Sequence, residues 1–295
     1  MRSGLGRSYK GHVHIVVVKD IGRALPCSTG SRTAAAGLGH RSAPRRSALP
    51  SIALLAVMFG CYMHATTIVA VRTSNTIFIG SDSKIIDGEG GEAGKACKIV
   101  TFNGISIAIA RLWGSPAQGF SVAAVAAEAL NSNSDLASRI NHFERLLTRP
   151  LEQLLTSLKT ADSVRFKREL EGQSAVDVLF VGFDSNYPVL LMRSFMVRSG
   201  ASQSITVRIK REECSRDCSD GLAYVVLGQH SSIDKTLADN PTFWKIGAVE
   251  AIRKLINLEI LAAPSFVGPP LSILAIDKSG PRWIEQGVCQ DIRSQ

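Results

Sequence analysis

Residues 66–72 read Thr66-Thr67-Ile68-Val69-Ala70-Val71-Arg72, and the turn-type trio Thr73-Ser74-Asn75 separates them from a second apolar run at 76–80. Two β-branched runs on either side of a polar turn predict an antiparallel hairpin. A second pair follows, in which 98–102 returns through Asn103-Gly104 into 105–110. Asn-Gly between apolar runs is the strongest short hairpin signal, because both residues accept the left-handed backbone of a tight turn. Helical periodicity takes over at 121–130 and at 137–147, where Ile140, Phe143, Leu146 and Leu147 share a face. Thr148-Arg149-Pro150 is expected to cap a third helix running to Leu158. Strands are predicted again at 175–183 and 188–195, around Asp184-Ser185-Asn186-Tyr187, and near 206–209 and 222–227. A long helix over 243–261 precedes closing strands at 271–276 and 283–285. This order predicts one α+β domain over 66–295, with two antiparallel sheets packed together and helices outside.

The chain carries a formal net charge of +9, but the excess is local. Residues 1–65 hold nine Lys and Arg against Asp20 alone, which leaves 25 basic against 24 acidic residues in the remainder. A near-neutral body lacks the electrostatic footprint of a nucleic-acid binder. Arg45-Arg46, the apolar run 48–63 and small Ala65 follow the charged, apolar and cleavage regions of a signal peptide, so 48–65 is expected to be a leader. An uncleaved anchor and a buried helix are the competing readings, and the run is short for a membrane span. A lipoprotein reading with Cys61 as the modified residue stays open, although Met58 and Phe59 fit it poorly. Residues 1–47 are Ser-, Gly-, Ala- and Arg-rich, with no Met between Met1 and Met58; they read as disordered, or as an extension ahead of the true translation start. The expected location is periplasmic or secreted, with membrane contact only through the leader.

Removal of the leader after Ala65 would leave Thr66 as the new N-terminus. Such a threonine carries a hydroxyl nucleophile together with an α-amine whose ordinary pKa, roughly 7.7 to 8.0, suits it as the base. Asp82 closes the second apolar run in Gly80-Ser81-Asp82-Ser83-Lys84, and Lys98 heads the third in Lys95-Ala96-Cys97-Lys98-Ile99-Val100. With Thr66 counted as the first position, Asp82 is the seventeenth and Lys98 the thirty-third (82 − 65 and 98 − 65).

That register, with Thr-Thr-Ile-Val-x-Val-Arg at its head, resembles the proteasome β-subunit-like family of N-terminal nucleophile hydrolases, and within it the proteolytic subunit of the bacterial two-component ATP-dependent protease. The resemblance runs from Thr66 to about Gly287. It implies a four-layer αββα sandwich and threonine-type hydrolysis of amide bonds, with Thr66, Asp82 and Lys98 as the catalytic trio. It further implies a peptide or small amide substrate and a ring or other homo-oligomer. The sequence departs from the family at three places. Arg111 stands where the family has a glycine whose backbone N–H supports the oxyanion, and its bulk is expected to narrow the cleft. Gly228-Gln229-His230-Ser231 replaces Gly-Ser-Gly-Ser, with Gln229 in place of a supporting serine, and Pro264-Ser265-Phe266-Val267-Gly268-Pro269 lacks the family's supporting aspartate.

Other chemistry is poorly supplied. Only His142 and His230 lie beyond residue 65, and no Gly-x-Ser-x-Gly elbow is present, so a serine triad has little to build on. The Gly-rich stretch 88–95 fails the phosphate-loop spacing and reads as a hairpin loop. Among Cys97, Cys214, Cys218 and Cys289, the pair Cys214 and Cys218 is spaced for a small loop disulfide, with free thiols or a metal site as alternatives. No cofactor or metal motif is apparent. Two further functions compete with a peptidase: a non-peptide amidohydrolase of the same mechanism, and a catalytically silent module used for binding or assembly.

Overall fold

The computed structural model describes residues 62–64 (backbone only), 66–87, 91–132, 134–200, 204–215, 222–240 and 242–290. The chain is a mixed α+β protein of antiparallel sheets and, among the described residues, five α-helices. Its strands in chain order are β1 (Tyr62–His64), β2 (Thr67–Arg72), β3 (Ile77–Ser81), β4 (Lys84–Ile86), β5 (Glu92–Lys95), β6 (Ile99–Phe102), β7 (Ile105–Ser115), β8 (Phe120–Ser121), β9 (Ser174–Asp184), β10 (Tyr187–Ser199), β11 (Ile205–Cys214), β12 (Ala223–Gly228), β13 (Ser272–Asp277) and β14 (Gly280–Glu285). The helices are α1 (Val122–Leu130), α2 (Leu136–Ala161), α3 (Ser163–Glu169), α4 (Ser231–Asp239) and α5 (Ala248–Ala262).

One sheet runs β11-β10-β9-β7-β1-β4-β5, with β6 and β8 also paired to β7; the other runs β12-β2-β3-β13-β14. Alternation along the strands sends side chains to two faces, and each face finds a partner. Ile68, Ala70, Ile77 and Ile79 of the second sheet share a buried cluster with Ala108, Leu179, Val181 and Leu190 of the first. On the outer face of the first sheet, Ile107, Ile109, Val178, Phe180 and Phe195 pack against α1 and α2. On the other sheet, Val69, Val71 and Ile273 pack against Ile252, Leu255 and Ile256 of α5.

Both sequence-read hairpins are present. Arg72 pairs with Ile77 and Ile68 with Ser81, while Phe102 pairs with Ile105 around Asn103 and Gly104, whose φ angles are both positive at 48° and 80°. Six elements were not legible: α3, α4, and the short strands β1, β4, β5 and β8; the stretch 88–95, expected to be a hairpin loop, instead ends in β5, whose Lys95 and Gly94 pair with Lys84 and Ile85 of β4. The expected break at Thr148-Arg149-Pro150 does not occur, since α2 continues through Pro150. Its buried stripe, Ile140, Phe143, Leu147, Leu151, Leu154 and Leu155, holds phase across the proline, and this packing outweighs a local penalty of about 3 kcal/mol. The Thr148 hydroxyl donates back to the Glu144 carbonyl and caps nothing. The helix expected over 243–261 divides at Gly247, φ 95°, into a short 3-10 turn (Phe243–Ile246) and α5.

Candidate active site

The open end of the β2–β3 hairpin places Asp82 directly beside Thr67, one step beyond the Ile68–Ser81 pair. The Asp82 side chain is fully buried and accepts from four donors. The Thr67 N–H at 2.9 Å and the Lys98 ammonium at 2.7 Å meet Oδ1, while the Lys84 N–H at 3.1 Å and the Gly268 N–H at 3.2 Å meet Oδ2. Lys98 arrives from the other sheet, in the irregular segment just ahead of β6, and its side chain is also 0% exposed. Taking both charges out of water is costly, and the fourfold satisfaction of the carboxylate is what offsets it. Burial pushes the Lys98 ammonium below the ordinary lysine pKa, and Asp82 opposes that shift by charge attraction and hydrogen bonding.

Thr66 is fully buried, and its hydroxyl has no hydrogen-bond partner. A buried hydroxyl without a partner is unusual enough to call for an explanation. Its residue is held by backbone alone. The Thr66 carbonyl accepts from the Gln229 N–H at 2.7 Å, and the Thr67 hydroxyl donates to the Gln229 carbonyl at 2.7 Å. Gly228 makes this approach possible, because its φ is 80° and a Cβ there would lie 1.6 Å from the Thr66 oxygen. The two departures noted at 228–231 and 264–269 therefore contribute main-chain groups. Gln229 supports the threonines through its N–H and C=O, and Gly268 supports Asp82 through its N–H. Ser83 reinforces the second contact by donating its N–H to the Gly268 carbonyl and its hydroxyl to the Pro270 carbonyl.

Arg111 sits in β7 with φ 73°, the left-handed backbone that a glycine would take without strain. Its guanidinium turns onto β9, where Nε donates to Asp177 Oδ2 at 2.6 Å and the Ser174 hydroxyl holds Oδ1 at 2.8 Å. The side chain is 14% exposed, and the buried Nη2 has no partner. His230 bonds Asp234 at 2.7 Å at the start of α4, and His142 lies on α2.

β1, the stretch just ahead of Thr66, is an extended strand between β7 and β4. Its register sets Tyr62 opposite Gly114, Met63 opposite Leu112 and Ile86, and His64 opposite Arg111. The apolar run ahead of β1, read from the sequence as part of a leader, and Cys61 lie outside the described residues. Cys97 and Cys289 form a disulfide that spacing did not suggest. Cys214 is also disulfide-bonded, and Cys218 lies outside the described residues. Among the described residues, no group of three or more His, Cys, Asp or Glu is placed to hold a metal, and no helix is long and apolar enough to cross a membrane. No known protein-family model matches the chain, and no curated protein matches it significantly.

Proposed function

We propose that the chain is a threonine-type N-terminal nucleophile hydrolase of amide bonds, built as a four-layer αββα sandwich and exported to the periplasm or beyond. The observation that carries this reading is the Asp82 carboxylate, which gathers at one oxygen the Lys98 ammonium and the amide of Thr67, the residue next to Thr66 with its buried, unpartnered hydroxyl. Cleavage of the Ala65–Thr66 bond turns the Thr66 nitrogen into an amine. That amine takes the hydroxyl proton, directly or through a water, as Oγ1 adds to the scissile carbonyl. The carbonyl oxygen becomes an oxyanion, which backbone N–H groups near Arg111 stabilise. Collapse of the adduct expels the leaving amine, which receives the proton, and leaves an ester on Thr66. Water, deprotonated by the same amine, then attacks the ester, releasing the acid and restoring the hydroxyl. Lys98 stays charged throughout and favours the anionic oxygen, while Asp82 holds it in place.

A peptide is the preferred substrate, because Tyr62–His64, just ahead of Thr66, already lie as an extended strand in the slot between β4 and β7. An extended chain satisfies its backbone groups against two strand edges, as strand addition does in general. The test is the mature N-terminus together with turnover. N-terminal sequencing should return Thr66, and the processed protein should cleave a fluorogenic peptide that Thr66→Ala leaves intact. A mature chain beginning elsewhere, or activity surviving an acetylated amine, overturns the mechanism. Correct processing with turnover only of non-peptide amides would select the amidohydrolase alternative, and correct processing with no turnover would select the silent module.

A further inference from the structure

Cys97 is the residue immediately before Lys98, and it is bonded to Cys289 across 192 residues of sequence. The segment 96–98 belongs to no strand. Its described backbone bonds lie at its ends, from the Ala96 N–H to the Ser83 carbonyl at 2.9 Å and from the Ile109 N–H to the Lys98 carbonyl at 3.3 Å. Cys289 belongs to the closing segment behind β14 and is 6% exposed. That segment is well anchored to the second sheet. The Cys289 N–H donates to the Gln286 carbonyl, the Gln286 side chain donates to the Cys289 carbonyl, and the Ser272 hydroxyl of β13 donates to the Gln286 carbonyl.

A fully buried ammonium gains hydration whenever it leaves its site, so the backbone that carries it has to be held. The loop carrying Lys98 has few hydrogen bonds of its own near Cys97, and the disulfide supplies a covalent hold at the adjacent residue. We infer that the Cys97–Cys289 disulfide is a positioning element for Lys98, tying its loop to the second sheet so that the ammonium remains on Asp82. The contribution to turnover rests on the hydrolase reading above, whereas the contribution to Lys98 geometry does not. The disulfide touches no substrate; it acts through Lys98, so its loss moves the chemical step and leaves peptide binding in the slot largely as it was.

The experiment compares the processed protein with Cys97→Ser/Cys289→Ser, well below the melting temperature of either, after circular dichroism has shown both to be folded. Two quantities are read. The first is the rate of Lys98 acylation by acetic anhydride, followed by peptide mass spectrometry with exposed Lys278 as internal reference. The second is kcat and KM on a fluorogenic peptide. The expected result is Lys98 labelling at least tenfold faster in the variant, Lys278 unchanged, kcat at least tenfold lower and KM within twofold. Should the variant not fold, the folded wild type is treated with dithiothreitol. This reagent gives two electrons and two protons to the disulfide and closes to its own cyclic disulfide, and Cys214→Ser treated alike controls for the other bridge.

Unchanged Lys98 labelling overturns the inference whatever the kinetics. Faster labelling with unchanged kcat, or a change confined to KM, overturns the link to the chemical step. A wild type that turns over no amide at all sinks the hydrolase reading, and the labelling comparison still decides whether the disulfide holds Lys98.

Discussion

Lys98→Ala deletes a buried ammonium but leaves Asp82 with three backbone donors, from Thr67, Lys84 and Gly268. Asp82→Asn does the reverse: it leaves Lys98 charged, buried and without a counter-ion, and it turns an NH2 group toward neighbours that are themselves donors. Loss of one partner of a buried pair costs about 3 to 5 kcal/mol when the other charge is left uncompensated. Urea unfolding should therefore show Asp82→Asn as the more destabilised variant, with Lys98→Ala destabilised less, by the cavity its buried stem leaves. Turnover should behave differently. Each change should lower kcat on the order of a hundredfold, and the double variant should lose little more than the worse single one, because groups acting as a unit are not additive. Multiplicative losses would assign the two residues separate structural roles.

The same residues set a pH profile. On the proposed mechanism turnover needs the Thr66 amine neutral, so kcat/KM should rise with pH through a value at or below roughly 7.7 to 8.0, and His142→Ala and His230→Ala should leave this limb unchanged. The same mechanism needs Lys98 charged. Burial lowers its pKa, so the alkaline limb should fall at lower pH than an exposed lysine would give, and Lys98→Arg should move that limb upward if the variant turns over. A profile without an acidic limb near the amine value would point away from Thr66 as its own base. Thr66, Asp82 and Lys98 could be singled out in the sequence only through a register that resembles a known family, since a lysine or aspartate at the end of an apolar run is by itself ordinary. Gln229 and Gly268 could not, because what they contribute is a main-chain N–H or C=O that every residue possesses, and only the fold says which ones reach Thr66 and Asp82.

At the scale of the element, α2 shows where local reading fails. Pro150 was expected to end one helix and start another, yet the apolar stripe on either side keeps one phase, and the sheet beneath it favours one continuous rod. Glu144 fixes the same helix to β10 and β11 through Arg193 and Arg211. Thermal or urea unfolding can separate these contributions. Leu151→Ala, next to the proline on the buried face, should destabilise by about 2 to 5 kcal/mol, whereas Pro150→Ala should stabilise by about 1 to 3 kcal/mol. A destabilised Pro150→Ala would mean that the proline shapes a bend on which the packing depends. The hairpins were read correctly for the opposite reason: Asn103-Gly104 carries its turn geometry within two residues, independent of anything distant. β1 escaped notice because its apolar residues belong equally well to a leader, and its pairing is decided by strands that come later in the chain.

For the whole molecule, the Cys97–Cys289 bond joins the loop ahead of β6 to the segment behind β14, across 192 residues of sequence. Sequence spacing could not suggest a pairing that only the assembled sheets bring together. In the chain-entropy account, closing a loop of that length restricts the unfolded chain by on the order of 5 kcal/mol. Cys97→Ser/Cys289→Ser should therefore unfold at lower urea, and with a steeper slope, because its unfolded chain is no longer cross-linked and exposes more surface. An unchanged midpoint would mean that native strain cancels the gain.

The strand β1 bears on solubility. On the proposed reading its departure leaves the facing edges of β7 and β4 unpaired, and unpaired edges ordinarily invite edge-to-edge association that repeats from copy to copy. Here the two edges face each other across the width of one strand. An incoming segment is hydrogen-bonded on both sides at once and presents no new edge for the next copy to join. The arrangement therefore admits a guest chain without seeding a fibre, and a molecule of this design can keep an open gap in its sheet and still remain dispersed.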